Sequence, residues 1–151
     1  MMIKFDAIPN ALAELAQWAL WKYENETKVP YCANGSGLRA SSTDKSTWRS
    51  FQFVKQAFLE GEYDGVFFVL TKDDPFTVID LDHCIVDSVI ADWANDEVKK
   101  YNSYTEISPS MTGIHIWIRA KLPVGIKHRN GDFEIYDHSR FMSVTGWAYG
   151  N

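Results

Sequence analysis

Only two cysteines, Cys32 and Cys84, occur in the 151 residues, far apart and in no Cys-x-x-Cys pair. That argues against a disulfide framework or a cysteine-built structural zinc site, and makes a reduced cytoplasm the simplest setting. Positive charge is scarce as well: 15 Lys and Arg stand against 20 Asp and Glu, a formal net charge of −5. Such a chain does not coat duplex DNA or an anionic membrane through a broad positive field. A local basic groove, or a cation that recruits phosphates, stays open to it. Missing too are an apolar run of membrane length, a signal-peptide pattern, internal repeats and low-complexity segments. What is there is one domain's worth of sequence (1–151), 46% hydrophobic and 15% aromatic, enough for a real core. The expectation is a soluble intracellular protein with no membrane partner.

Helix formers with Leu12 and Leu15 three apart predict a short helix over 9–17. Trp18–Tyr23 reads as a strand returning through 28–31, and the Gly-, Ser- and Asn-rich 33–42 as a loop. Trp48, Phe51, Val54 and Phe58 are spaced for an amphipathic helix ending near Glu60. Val66–Leu70 is a nearly continuous apolar run, turned by Lys72-Asp73-Asp74-Pro75 into Thr77–His83; the pair reads as a hairpin at the centre of a sheet. A helix is expected over 88–101, carrying Ile90, Trp93 and Val98. Short strands follow at 104–107, 114–119, 133–136 and 141–145, with a basic loop over 122–131. Helices mixed with hairpin-joined strands give an α/β or α+β domain with one sheet face left working.

Strand side chains alternate between faces. Ile79 and Leu81, then Ile114, Ile116 and Ile118, then Phe133 and Ile135, give three strands an apolar side to pack under the helices led by Trp48 and Trp93. The opposite sides carry Asp80 and Asp82, then His115, Trp117 and Arg119, then Glu134 and Tyr136. Asp-x-Asp by itself is a common solvated turn. Three carboxylates on one face are different: they repel unless a cation sits between them, and the oxygen-loving occupants are Mg²⁺ or Mn²⁺. Carboxylates around a divalent cation, with cationic side chains beside them, suit phosphoryl transfer. The loop before His115 offers hydroxyls and close-approaching backbone at Ser108, Ser110, Thr112 and Gly113, a concavity for phosphate oxygens that reads equally as a hairpin turn. Lys28, Arg39, Lys127, Arg129 and Arg140 are candidate phosphate or strand contacts, each also an ordinary surface charge. His83 and Cys84 read as packing or supporting residues.

Asp80-Leu81-Asp82, Thr112-Gly113-Ile114-His115 and Phe133-Glu134-Ile135-Tyr136 resemble, in order and spacing, the three motifs of the archaeo-eukaryotic primase superfamily. The similarity is greatest to the primase-polymerase domains at the N-terminus of phage and plasmid replication proteins. It extends through 17–22, 27–31, 40–44, Trp48, 104–110 and 141–146, nearly the whole chain. The resemblance implies an RNA-recognition-motif-like sheet with helices on one face and an N-terminal αβ unit forming a cleft. It implies that Asp80, Asp82 and Glu134 hold Mg²⁺ or Mn²⁺ and are catalytic, with Asp137 the alternative third acid, set aside because alternation turns it to the other face. His115, the hydroxyl loop and Arg140 would contact the nucleotide. Nucleoside triphosphates, a single-stranded DNA template and a helicase module or protein are the implied partners, in a bacterial, archaeal or infected host cell. The implied reaction is attack of a 3′-hydroxyl on an α-phosphate with release of pyrophosphate. Two departures stand out. Many relatives have Ser two before the His, where this chain has Gly113. The chain also ends at Asn151, soon after the last strand, so the expectation is either a fragment, the N-terminal part of a longer replication protein, or a minimal catalytic core, with primer initiation needing further residues.

Two other readings compete. A metal-dependent phosphodiesterase or nicking enzyme would need a nucleophilic Tyr and a His-hydrophobic-His motif, and that motif is absent. A non-catalytic single-strand binder would use Trp117 and Tyr136 as stacking platforms, leaving the repeated carboxylates unexplained.

Overall fold

The apolar run Gly65–Leu70 forms a strand whose six residues are all buried, and that double burial shapes the architecture. In the computed structural model, which describes residues 2–150, the chain runs through α1 (Asn10–Ala13), β1 (Trp18–Glu24), β2 (Thr27–Tyr31), α2 (Phe51–Glu60), β3 (Gly65–Leu70) and β4 (Phe76–Leu81). It continues through β5 (Ile85–Val86), β6 (Val89–Ile90), α3 (Asp92–Tyr101), β7 (Thr105–Ile107), β8 (Ile114–Arg119), β9 (Arg129–Asn130), β10 (Phe133–Tyr136) and β11 (Arg140–Val144). The fold is mixed α+β with antiparallel sheets, as the sequence led us to expect.

The expected central hairpin of β3 and β4 does not form. β3 lies in a four-stranded sheet of order β11-β3-β1-β2, and β4 in a five-stranded sheet of order β7-β8-β4-β10-β9. Between them, the buried Asp74 carboxylate accepts from Gln17 Nε2 (3.0 Å), Thr71 N (2.8 Å) and Phe76 N (2.9 Å). Lys121 Nζ reaches in to Asp74 Oδ1 at 3.3 Å and to the Thr71 and Phe76 carbonyls at 2.7 and 3.1 Å. These donors hold the connection in a shape that sends β4 into a new sheet instead of back along β3.

The two sheets share a core. Trp18, Leu20, Val66, Phe68, Met142 and Val144 of the first sheet meet Phe76, Val78 and Trp117 of the second, with Phe51 and Val54 of α2 packed against them. Trp117 crosses Phe68 edge to face at 5.5 Å and is only 3% exposed. The opposite side of the second sheet, with Ile79, Leu81, Ile114, Ile116 and Ile135, packs on Ala94 and Val98 of α3.

Several expected boundaries shift for local reasons. The first helix covers only 10–13 of the expected 9–17, and Ser50 caps α2 by accepting from Phe53 N. Trp48 precedes that helix, bonding Ser41 O through its indole N–H (2.6 Å). α3 begins at Asp92 because Asp87 and Ser88 adopt left-handed φ of 50° and 65° and fold 85–90 into the β5–β6 hairpin. Ile90 therefore belongs to a strand, and Trp93 is 41% exposed instead of leading the buried face. The basic loop over 122–131 contains the short edge strand β9.

Candidate metal and nucleotide site

Pairing on both sides of β4 sets the site. Asp80 is opposite His115 of β8 and opposite Glu134 of β10; His115 is opposite Glu106 of β7, and Glu134 opposite Arg129 of β9. Residues directly opposite in an antiparallel ladder share a face. One row across five strands therefore reads Glu106, His115, Asp80, Glu134, Arg129. Asp82 lies just past the end of β4, its N–H donating to Asp132 O at 2.8 Å. Oxygens of Asp80, Asp82 and Glu134 lie within 4.8 Å of one another, close enough for one cation to meet all three.

The charges behave as a crowded acidic cluster should. Burial, and then the Asp80 and Glu134 carboxylates, push the Asp82 carboxyl above its ordinary range. Asp80 goes the other way: burial opposes its charge, but the His115 imidazole, with Lys28 and Arg140, brings it below the usual value. His115 Nε2 stands 3.4 Å from Asp80 Oδ1. Its Nδ1 is 3.1 Å from the Ser143 carbonyl, which can only accept, so Nδ1 carries a proton. Burial disfavours the imidazolium, yet Asp80 and Glu106 outweigh it and raise its pKa. Glu134, 6% exposed, is met by the Arg129 guanidinium and accepts from the Tyr136 hydroxyl at 3.4 Å. Asp137 is turned elsewhere, accepting from Leu122 N at 3.0 Å.

The hydroxyl loop abuts the end of β4. Ser108, Ser110 and Thr112 form a chain of hydroxyls spaced 3.0 and 2.8 Å apart, and Ser108 Oγ accepts from Gly113 N (3.2 Å). A Cβ on Gly113 would come within 2.9 Å of Leu81 O and 3.2 Å of Ser108 Oγ. Gly113 thus permits a close approach beside Asp82, and the Ser108 hydroxyl occupies the space that a side chain there would enter. Arg140 lies over the Tyr136 ring at 4.0 Å, and His128 stacks parallel to the same ring at 5.8 Å. Lys28 and Arg140 line a cavity of about 260 Å³ with Ser42, Phe67, Ser139 and Phe141. Burial lowers the pKa of Lys28, and Asp80 and Asp82 pull it back up. Arg39 engages Tyr31 through a backbone bridge and its side chain, and Lys127 sits in an exposed loop.

Two expectations need correction. The working face is not open along its length: Trp117 is core, so it is no stacking platform, and the Tyr136 ring is already in contact with His128 and Arg140. Arg119 lies over the Phe76 ring at 5.3 Å, away from the acids. His83, at φ 53°, pairs with Asp132 at 2.9 Å on the surface, while Cys84 is buried, its thiol pushed up to about 11 by burial. Glu106 carried no role in the sequence reading, because a lone Glu in a three-residue strand looks like a solvated edge position. Its alternation with Thr105 was the available signal.

No known protein-family model matches the chain. Among curated proteins, the DNA primase-polymerase of Nitratiruptor phage NrS-1 is 41% identical over 156 aligned residues, which cover 99% of this chain. The chain spans 21% of that relative's length. The resemblance to phage primase-polymerases read from the three motifs is borne out by this similarity.

Proposed function

We propose that this chain, similar along nearly all its length to part of a phage primase-polymerase, is a metal-dependent nucleotidyltransferase core that extends nucleic acid on a single-stranded DNA template. The observation that carries this reading is the convergence of Asp80, Asp82 and Glu134 within 4.8 Å, with His115 on one side and Arg129 on the other. Carboxylates of this kind suit Mg²⁺ or Mn²⁺, and the raised pKa of Asp82 marks a site with negative charge to share. Bound there, the cation supplies charge neutralisation for attack of a 3′-hydroxyl on an α-phosphate, with pyrophosphate leaving.

The chain's own residues do the rest. His115, its Nδ1 proton taken by Ser143 O, presents Nε2 beside Asp80, where it can donate to a phosphate oxygen. Lys28 and Arg140 put two positive charges across from the acids, in the cavity where a triphosphate tail fits. Charge-assisted bonds from such groups orient the nucleotide and stabilise charge as it develops. The burial of Trp117 weighs against the single-strand binder reading, which needs it as a platform. A helicase activity, if it accompanies this core, is expected of a separate module or protein.

The test is primer extension on a single-stranded template with Mn²⁺ or Mg²⁺ and either dNTPs or NTPs. Template-directed addition, absent in Asp80→Ala and Glu134→Gln, supports the reading. Incorporation that persists in both variants would overturn it.

A further inference from the structure

Glu106 is 0% exposed, the most deeply buried acid among the described residues, and it stands opposite His115 on the side away from the carboxylate cluster. Both its oxygens are engaged. Oε1 accepts from Thr145 N at 3.0 Å; Oε2 accepts from Gly146 N at 2.9 Å and from the Tyr104 hydroxyl at 2.8 Å. The turn it grips lies one residue beyond Ser143, whose carbonyl accepts the hydrogen bond from His115 Nδ1.

That turn is pinned from its other side too. Lys4 N donates to Thr145 O at 2.9 Å, and Gly146, at φ 71°, passes so near Lys4 O that a Cβ would come within 2.1 Å. The segment beyond is already held on β7 by main-chain bonds, Ile107 N to Trp147 O (2.9 Å) and Tyr149 N to Thr105 O (2.8 Å). Docking that segment does not therefore require a buried carboxylate, which is costly to desolvate. What the carboxyl group adds is a fixed position for residues 145–146, next to the strand that carries the Ser143 carbonyl.

Resting on the nucleotidyltransferase reading, we propose that Glu106 is a positioning residue for His115: by clamping the Thr145–Gly146 turn it fixes the Ser143 carbonyl that orients the ring and keeps Nε2 turned to the nucleotide phosphates. A carboxylate suits this role because it accepts from two parallel backbone N–H groups at once. A glutamine would set its amide donor against one of them.

The test is a double-mutant cycle of Glu106→Gln and His115→Ala, read as nucleotide KM, kcat and Mn²⁺-dependent nucleotide affinity, with folding followed by circular dichroism. The expected result is about a tenfold weaker nucleotide KM in Glu106→Gln with a smaller change in kcat, and a double variant no worse than His115→Ala alone. A purely structural role predicts instead that the two defects multiply, which would overturn the proposal. So would wild-type nucleotide affinity in Glu106→Gln. Should Glu106→Gln not fold, Tyr104→Phe removes one donor to the same carboxylate, and its defect must likewise vanish in the His115→Ala background; an additive defect rejects the positioning role. The two readings separate cleanly. If Asp80→Ala and Glu134→Gln keep wild-type incorporation, the functional reading falls and this inference with it; if those variants are inactive but His115→Ala binds nucleotide as wild type does, or His115→Ala loses binding and Glu106→Gln does not, only the inference falls.

Discussion

Asp80 and His115 face each other directly across the β4–β8 pairing, Oδ1 to Nε2 at 3.4 Å, and each favours the other's charged form. Burial works against both charges, yet pairing wins: Asp80 titrates below its ordinary 3.8 and His115 above its ordinary 6.5. The acid's contribution to stability is present above its unfolded value and lost as pH falls through its folded one. The imidazole's is present below its unfolded value and lost as pH rises through its folded one. In metal-free buffer the difference in thermal midpoint between wild type and His115→Ala should therefore shrink as pH climbs above about 6.5. A difference that stays constant to about pH 9 would contradict this pairing.

Asp82 should behave in the opposite sense. Burial and its two acidic neighbours raise its pKa, so its charge strains the metal-free fold. Asp82→Asn is expected to raise the thermal midpoint of metal-free protein by a few degrees while abolishing stabilisation by Mn²⁺. Differential scanning fluorimetry with and without Mn²⁺ reads both effects, and a lowered metal-free midpoint would count against the cluster as described.

The Asp74–Lys121 junction predicts a stability effect with little to do with chemistry. Asp74→Ala takes the carboxylate away from Lys121 Nζ and Gln17 Nε2 and leaves the Thr71 and Phe76 N–H groups without their side-chain acceptor where the chain passes between sheets. With Lys121 partly exposed, the cost should be about 2–3 kcal/mol, below that of a fully buried pair. For a chain of this size that is a fall in midpoint of roughly 5–10 °C. An unchanged midpoint would show that the junction is not what separates the sheets.

Gly113 predicts a local effect on the site. A side chain there presses on Leu81 O, the carbonyl just before Asp82. Gly113→Ser should cost about 1–2 kcal/mol through overpacking and weaken Mn²⁺ affinity as Asp82 moves. Unaltered metal affinity with an unaltered midpoint would mean that the approach is not tight.

Much of this site was legible because alternation is a strong rule where one face is apolar. β8 and β10 fall where their patterns place them, and Asp80, His115 and Glu134 come into line in the ladder. The split of β3 and β4 into two sheets was not legible. It rests on Asp74, whose polar label suggests a solvated turn although its side chain is buried under four donors, two of them, Gln17 and Lys121, from distant residues. Trp117 shares the parity of His115 but sits where the sheets close on each other, a distinction that depends on tertiary packing and not on period. Glu106 was missed for the same reason: its partners, Thr145 and Gly146, lie about forty residues away in sequence.

The most direct measurement is calorimetric titration of dATP and ATP, each with Mn²⁺, into wild type and into Asp80→Ala/Asp82→Ala. The account predicts nucleotide binding that needs the cation in wild type and is lost in the double variant, with the circular dichroism spectrum unchanged. Metal-dependent binding of equal strength in the folded double variant would contradict it.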